Sequence, residues 1–559
     1  MLLILLLGAC RSGGPSGESI ASPQKGASGA EVWVDAAAER GGDGTRQRPL
    51  RSLGEALARP GPLTVYLVTG EYRGPFEVSS EVRLEGQGDA TVLSGDGVEG
   101  PVVRVAVGHE VLLRNLSVRG GKWGMEVSGG GRVRVEQVRV GGQGQGAVRV
   151  TSGRFEAATA RFETSGETVG VLLDGPTDGV GMASPTAGDQ ASGAHERMAR
   201  VSMPSEAMEH AGSPTAARLA SRASMSRTFG PLLQEPRLAD ATFRPVRQEA
   251  RLSDTTFTGP FRRAVRVRGL EARATLEDVR FQGAVTAVGM DGGHAEIRRV
   301  VAEGGQGAAF SVVEGVMVLE DARVSGYEVG VSAMRAPRLE VHGLLSVGAT
   351  RAGISVGASS GVRLEDVVVR DSGSHGALHL TGSEVEVQRL RVEGSMEYGV
   401  VAVGGRLRLR NSAVVGVRSN DGITGEGLHL RQVHAEVEGV LVRDTAGACV
   451  LAVQNARVTL RDAELARCGQ SALSVDTRAR MDAMSVEAKD IQQTALAAMD
   501  GGELRVDALV ARTTRQGLVS AECTGDTRVR LGRVRAEDVR GVDAWCVERL
   551  TKELAPAPR

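Results

Sequence analysis

The sequence predicts an all-β fold, a right-handed parallel β-helix with a short N-terminal capping helix, from three observations. A phrase of alternating apolar and polar residues recurs about every 22 residues from about residue 111 onward. The alternation within each run marks strands with one buried face, and the runs are too short for helices. Each phrase is broken by a polar turn and a glycine, and glycine reaches 76 of the 559 residues.

The clearest copy is VRLEDVVVRDSGSHGALHL at 362–380. ATLEDVRFQGAVTAVGM (274–290), MVLEDARVSGYEVGVSA (317–333), VEVQRLRVEGSMEYGVVAV (385–403) and VTLRDAELARCGQSALSV (458–475) match it. One such coil cannot bury its own apolar side, whereas stacked neighbours bury it continuously. About 16 coils at roughly 4.8 Å each give a stack about 75 Å long. Leucine-rich repeats share the period but demand Leu at fixed intervals, whereas Val dominates here and no helical half-repeat occurs. Asn115, Asp254, Asp278, Asp321, Asp366, Asn411 and Asp462 fall at one corner of the phrase. Asx side chains satisfy the amides of tight turns, so corner geometry is preferred to a ladder of cation ligands.

The chain opens MLLILLLGACRSGG, and residues 2–7 are entirely apolar. That run is too short to span a bilayer as a helix and has the size of a signal-peptide core. Leu7-Gly8-Ala9-Cys10 resembles a bacterial lipobox, although no Lys or Arg precedes the apolar run. The resemblance implies a signal peptide over 1–10, acylation of Cys10 and export. Arg11, in place of Asp, resembles the signal for sorting to the outer membrane or cell surface. Residues 11–30, rich in Gly, Ser and Pro, read as a flexible tether.

With Cys10 acylated, four cysteines remain, and an even number in an exported chain points to disulfides. Cys449 and Cys468 are 19 residues apart, and Cys523 and Cys546 are 23 apart, each about one coil. Residues one coil apart lie within disulfide range, so the expected bonds are Cys449–Cys468 and Cys523–Cys546, both stapling the last coils. The cap and first coils occupy 31–100, and further coils 101–173 and 237–550, with a tail at 551–559. Residues 174–236, rich in Ala, Ser, Gly, Pro and Met, lack the alternation and read as a disordered low-complexity insertion between coils.

Composition narrows the function. A net charge of −1 offers no field for nucleic acid, and 3% aromatic residues weigh mildly against sugar recognition. SHG at 374–376 and SNDG at 419–422 resemble pieces of polygalacturonases, but the second aspartate pair and the Arg-x-Lys element of that family are missing. Glycoside hydrolysis needs paired carboxylates, which a lone turn does not supply. RPVR at 244–247, the nearest likeness to a pectate-lyase arginine, has no Asp cluster around it. His375, His379, His429 and His434 lie on nearby coils, but a spacing of four on a strand and turn does not converge ligands as it does on a helix. No CxxC or P-loop occurs. The reading therefore assigns no catalytic residue, no metal site and no cofactor.

Residues 31–95 carry a further resemblance. Trp33 and Asp35 end a strand, Gly44-Thr45 form a loop, and Pro49, Leu50, Leu53, Ala56 and Leu57 lead into a short helix. Gly70 and Tyr72 follow in VYLVTGEY. This order is similar to the N-terminal segment of bacterial pectin-lyase-like β-helix proteins. Ser52 and Glu55 have capping-box spacing, and the helix presents one apolar face, as a cap over an open solenoid end requires. That family includes lyases, hydrolases and adhesins, so the resemblance implies a fold and no particular activity. The expectation is a monomeric, lipid-anchored, non-catalytic surface module that binds a glycan, matrix or protein partner. The competing reading is a polysaccharide lyase or glycoside hydrolase with atypical residues.

Overall fold

The computed structural model of the protein describes residues 29–106, 108–176, 247–539 and 545–549. Two compact units are distinguished, 1–177 with 246–559, and 178–245. The second lies outside the described residues, as do Cys10, the tether to residue 28 and the tail from 550.

The first unit begins with β1 (Ala30–Val34), α1 (Leu53–Leu57), β2 (Leu63–Leu67), β3 (Gly70–Arg73), β4 (Phe76–Val78) and β5 (Val82–Glu85). Strands β2, β3 and β4 form three sides of one coil, and each belongs to a column of parallel strands. The first column runs β1, β2, β5 and on to Val547–Arg549. The second continues from β3 to Thr91–Gly95, and the third from β4 to Pro101–Val105. The result is a right-handed parallel β-helix of about 18 turns, slightly more than the expected 16. The sequence count is low because the coils before residue 111 spell the phrase less regularly.

One continuous apolar core runs up the inside from Val32 to Leu531. Full burial of each Val or Leu is worth about 1.5–3 kcal/mol, which only coil-on-coil contact can realise. Helix α1 covers the first layer. The Ser52 hydroxyl accepts from the Glu55 amide at 3.4 Å, and Leu53, Ala56 and Leu57 face the core. The glycine-rich loop before it closes on itself. Asp43 accepts from the Thr45 amide and hydroxyl at 2.9 and 2.8 Å, and Arg59 donates to the Asp43 carbonyl at 2.8 Å. Gly44, at φ +91°, lies so near the Arg59 guanidinium that a Cβ would sit 2.8 Å from it.

The Asx column marks the corner between the first and second columns. All seven residues are left-handed, with φ between 46° and 55°, a region that Asn and Asp tolerate better than other side chains. The corner is conformational, as expected, but its side chains reach sideways to other side chains. Arg299 holds Asp278 through two bonds of 2.9 and 2.8 Å, and Arg389 holds Asp366 at 2.6 and 2.9 Å. Asn115 donates to Glu85 at 3.1 Å.

The coils flanking 177–246 stack directly on each other. Gly153–Ala158 pairs with Gln248–Thr258, and Val169–Asp174 with Arg263–Arg268. The expected insertion therefore begins after Asp174, and its expected end at 236 lies outside the described residues. Phe162 stacks on Phe257 at 4.8 Å and Phe257 on Phe281 at 5.2 Å, so the core is continuous across these layers.

Both cysteine pairs stand at bonding distance, each with Cα atoms 5.4 Å apart. Cys468 stacks on Thr445 in the second column, and Cys449 reaches it from around the corner. That is why its spacing falls short of a full coil. Four further first-column strands follow this pair, so only Cys523–Cys546 staples the last described layer, where the Cys546 carbonyl accepts from Val529.

Phe257→Ala should lower the unfolding free energy by about 3–5 kcal/mol in urea titrations, since it empties the centre of the Phe ladder. Unreduced peptide mapping should recover Cys449 joined to Cys468 and Cys523 joined to Cys546. Cys523→Ser should cost about 3 kcal/mol, the loop-closure value for a loop of this length.

Candidate functional site

Stacking places equivalent side chains of successive coils in outward rows, and the rows differ in chemistry. Much of the first column sets opposite charges against each other between layers, as in Arg114–Glu136 at 3.1 Å, Arg154–Glu249 at 2.7 Å and Arg298–Glu320 at 2.9 Å. Like charges directly stacked would repel, so pairing along the column is the stable arrangement. Such exposed pairs contribute little net stability.

The third column begins in the same style, with Arg104–Glu126 at 3.4 Å, Arg149–Asp174 at 2.8 Å and Arg266–Asp291 at 3.2 Å. Its central outward row then loses charge. The layers above Arg266 place Gly289, Ser311, Ser332 and Ser355 there, and Ser474, Ala497 and Ser520 stand further along. Between them come His379, Val401, His429 and Leu451.

At the middle of this face Tyr398 and Glu426 occupy equivalent positions on adjacent layers. The Tyr398 ring meets the His429 ring edge-on at 5.1 Å. Glu426 is only 4% exposed. Its Oε2 lies 3.6 Å from His429 Nδ1, and neither atom has a hydrogen-bond partner. Burial pushes the Tyr398 hydroxyl pKa upward, and the negative charges of Glu426, Glu397 and Asp421 push it the same way.

Beside this group the corner swells into a loop at 419–424. Asp421 organises it, accepting from the Ile423 and Thr424 amides at 2.8 and 2.9 Å and from the Ser419 hydroxyl at 2.9 Å. These donors, the Thr424 amide foremost, hold its carboxyl well below the usual carboxylate range. Glu397 ties the loop down, accepting from the Asn420 amide at 2.9 Å and from the Thr424 hydroxyl. The loop lifts Ile423 into solvent, 72% exposed, at the lip of the face. SNDG is thus a self-contained turn.

The four histidines do not converge as a set. His375 and His379 are ring neighbours at 5.6 Å. His379 and His429 share the central row, two layers apart with Val401 between, roughly 10 Å by strand spacing. His434 stands in the first column between Arg406 and Arg457. Among the described residues no three His, Cys, Asp or Glu side chains are placed to hold a metal ion. Of RPVR only Arg247 is described, and it pairs with Glu271 at 3.6 Å.

Sequence reasoning passed over two features. Gly357-Ala358-Ser359-Ser360-Gly361 spells G-x-S-x-G, the pattern of a nucleophile elbow. It forms a solenoid corner with no helix behind it. Ser359 is buried, donating to the Gly357 carbonyl at 2.9 Å and accepting from the Ala336 amide at 3.0 Å. Tyr398 and Glu426 were also missed, because the 419–424 loop lengthens their coil and takes them out of step with the repeat. Two aromatic or acidic residues flanking a loop within one repeat were the only available signal. Cys10 lies outside the described residues, and among those described no helix is long and apolar enough to cross a membrane.

The fold and this face define an all-β parallel β-helix protein with an uncharged outer stripe. No family model and no curated protein matches the chain. It is similar in structure to the N-terminal fragment of gene product 12 of bacteriophage Phi29, at 10% identity and TM-score 0.38, covering 86% of this chain and 87% of that one. It is also similar to the periplasmic alginate epimerase AlgG, at 9% identity and TM-score 0.23, covering 85% and 77%. The catalytic unit of the GH87 α-1,3-glucanase from Streptomyces thermodiastaticus strain HF3-3 matches at 11% identity and TM-score 0.20, covering 95% and 71%.

A carboxyl whose folded pKa is depressed contributes stability above its unfolded pKa and loses it as pH falls toward the folded value. Amide exchange of Ile423 and Thr424 should therefore stay slow above about pH 4 and quicken only in stronger acid. Asp421→Asn should quicken it at every pH.

Proposed function

We propose that the protein is an exported, lipid-anchored β-helix module that binds a glycan along the outer face of its third column without cleaving it. The observation that carries this reading is the change of chemistry along that column. Charged, mutually paired side chains in the early coils give way to a stripe of hydroxyls and small residues, interrupted by the rings of His379, Tyr398 and His429. The surface hydroxyls of Ser311, Ser332, Ser355 and Ser520 supply donors and acceptors, and ring faces pack against the apolar faces of sugars. Elsewhere on the solenoid the Arg and Glu side chains largely engage one another, which leaves few charges unoccupied for chemistry. The anchor rests on Cys10 and the apolar run before it.

A second reading has one observation in its favour. Glu426 and His429, 3.6 Å apart and without other hydrogen-bond partners at the facing atoms, are an acid and a base beside a phenol. A polysaccharide lyase or glycoside hydrolase would use such groups for proton transfer.

Affinity electrophoresis in polysaccharide gels, run beside reducing-sugar and unsaturated-product assays, separates the two. Retardation by at least one polysaccharide with no product release is the expected result, and turnover would establish the enzyme instead. Cell fractionation should place the wild type with membranes and Cys10→Ser in the soluble fraction.

A further inference from the structure

We propose that a cluster of four arginines in the early coils of the third column binds a phosphate monoester group, a role independent of the glycan reading. Arg149 stands on one layer, Asp174 on the next, Arg263, Arg266 and Arg268 on the third, and Asp291 on the fourth. Asp174 accepts from Arg149 at 2.8 Å and from Arg268 at 3.3 Å. Asp291 accepts from Arg263 and from Arg266, each at 3.2 Å. Gly289 makes room for this arrangement, since a Cβ there would lie 2.8 Å from the Arg263 Cδ. Elsewhere Arg104, Arg299 and Arg408 each stand between two carboxylates. Here the ratio is reversed twice in adjoining layers.

Four guanidiniums against two carboxylates leave a formal excess of two positive charges. Among the described residues no third acid offsets it: Glu126, next to Arg149 in its row, is taken by Arg104 at 3.4 Å. Each of the four gives a single N–H to a carboxylate, far short of the donors a guanidinium carries. Burial pulls the Arg263 pKa down, and the charges of Arg266, Arg262 and Arg268 act the same way against Asp291. Like charges repel more strongly where water is partly excluded, so the cluster favours an anion. A dissolved ion can reach it, because these side chains keep 29–37% of their surface exposed. The Nε atoms of Arg149 and Arg266 are buried and unbonded, but Nη1 of each, also without a partner, reaches water. The excess charge selects the ligand. A carboxylate, a sulfate ester or a phosphodiester brings one negative charge and neutralises half of it. A phosphate monoester brings about 1.5 to 2, with three acceptor oxygens for donors that arrive from different layers.

Calorimetry on the full chain at low salt tests this with inorganic phosphate, glucose 6-phosphate, glucose 6-sulfate and glucuronate. Both phosphates should bind, and the singly charged sulfate and glucuronate much more weakly. Tighter binding of glucose 6-phosphate than of inorganic phosphate supports the site and assigns it a sugar phosphate; the reverse order supports it and assigns the free ion. Arg266→Gln should weaken phosphate binding about tenfold, the scale of one charge-assisted contact. Asp291→Asn removes a competing carboxylate and should tighten phosphate binding several-fold, even as the loss of two ion pairs lowers the melting temperature. A merely structural cluster would move the melting temperature alone. The inference is overturned if neither phosphate binds saturably, if glucose 6-sulfate binds as tightly as glucose 6-phosphate, or if affinity is indifferent to both variants.

Discussion

The apolar inner face of each coil can be buried only by the coil above and the coil below. Everything else in the solenoid depends on that constraint. Because the strands pair in parallel and in register, each layer must turn at the same points, and each turn must leave the sheet geometry in the same way. The seven Asx residues between the first and second columns are the chemical trace of this requirement, each held left-handed at φ near 50°. Excursions are tolerated only at corners, where they leave the ladder intact. The layers on either side of residues 177–246 are directly stacked, and the Phe162–Phe257–Phe281 ladder is continuous across them.

The same stacking governs the surface. Equivalent side chains lie one strand spacing apart, about 4.8 Å, so an outward row of like charges would be unstable. Much of the first column meets this by setting Arg against Glu, as in Arg114–Glu136 and Arg298–Glu320. The third column begins in that way, and beyond Arg266 its central outward row carries no Arg, Lys, Asp or Glu. An uncharged row dispenses with pairing, and within it Val401, Ser474 and Ala497 are buried while Ser311, Ser332, Ser355 and Ser520 reach the surface. Beside this row Glu426 is buried, and its Oε2 has no hydrogen-bond partner.

Much of this architecture was legible in the residues. The period, the corner column, the capping helix at Ser52–Leu57 and both cysteine pairs are local or strictly periodic features, and translation along the stack converts period into position. The Cys449–Cys468 pair shows where that conversion strains, because its partners meet around a corner and not within one row. The histidines show where it fails. Sequence proximity grouped His434 with His429, but the two project from different columns. Tyr398 and Glu426 escaped for the converse reason: the Asp421 turn adds residues to their coil, so side chains in register in space are out of phase in the repeat.

By itself, then, the sequence determined the kind of coil, the way it turns, the end at which it is capped and the cysteines that meet, because all of these depend on patterns repeated within one turn. Only the tertiary structure decided which outward residues of different coils form one face, and which charges pair across layers. Those outcomes depend on the exact number of residues in each corner, and a corner loop of a few residues is enough to shift the phase of a whole layer.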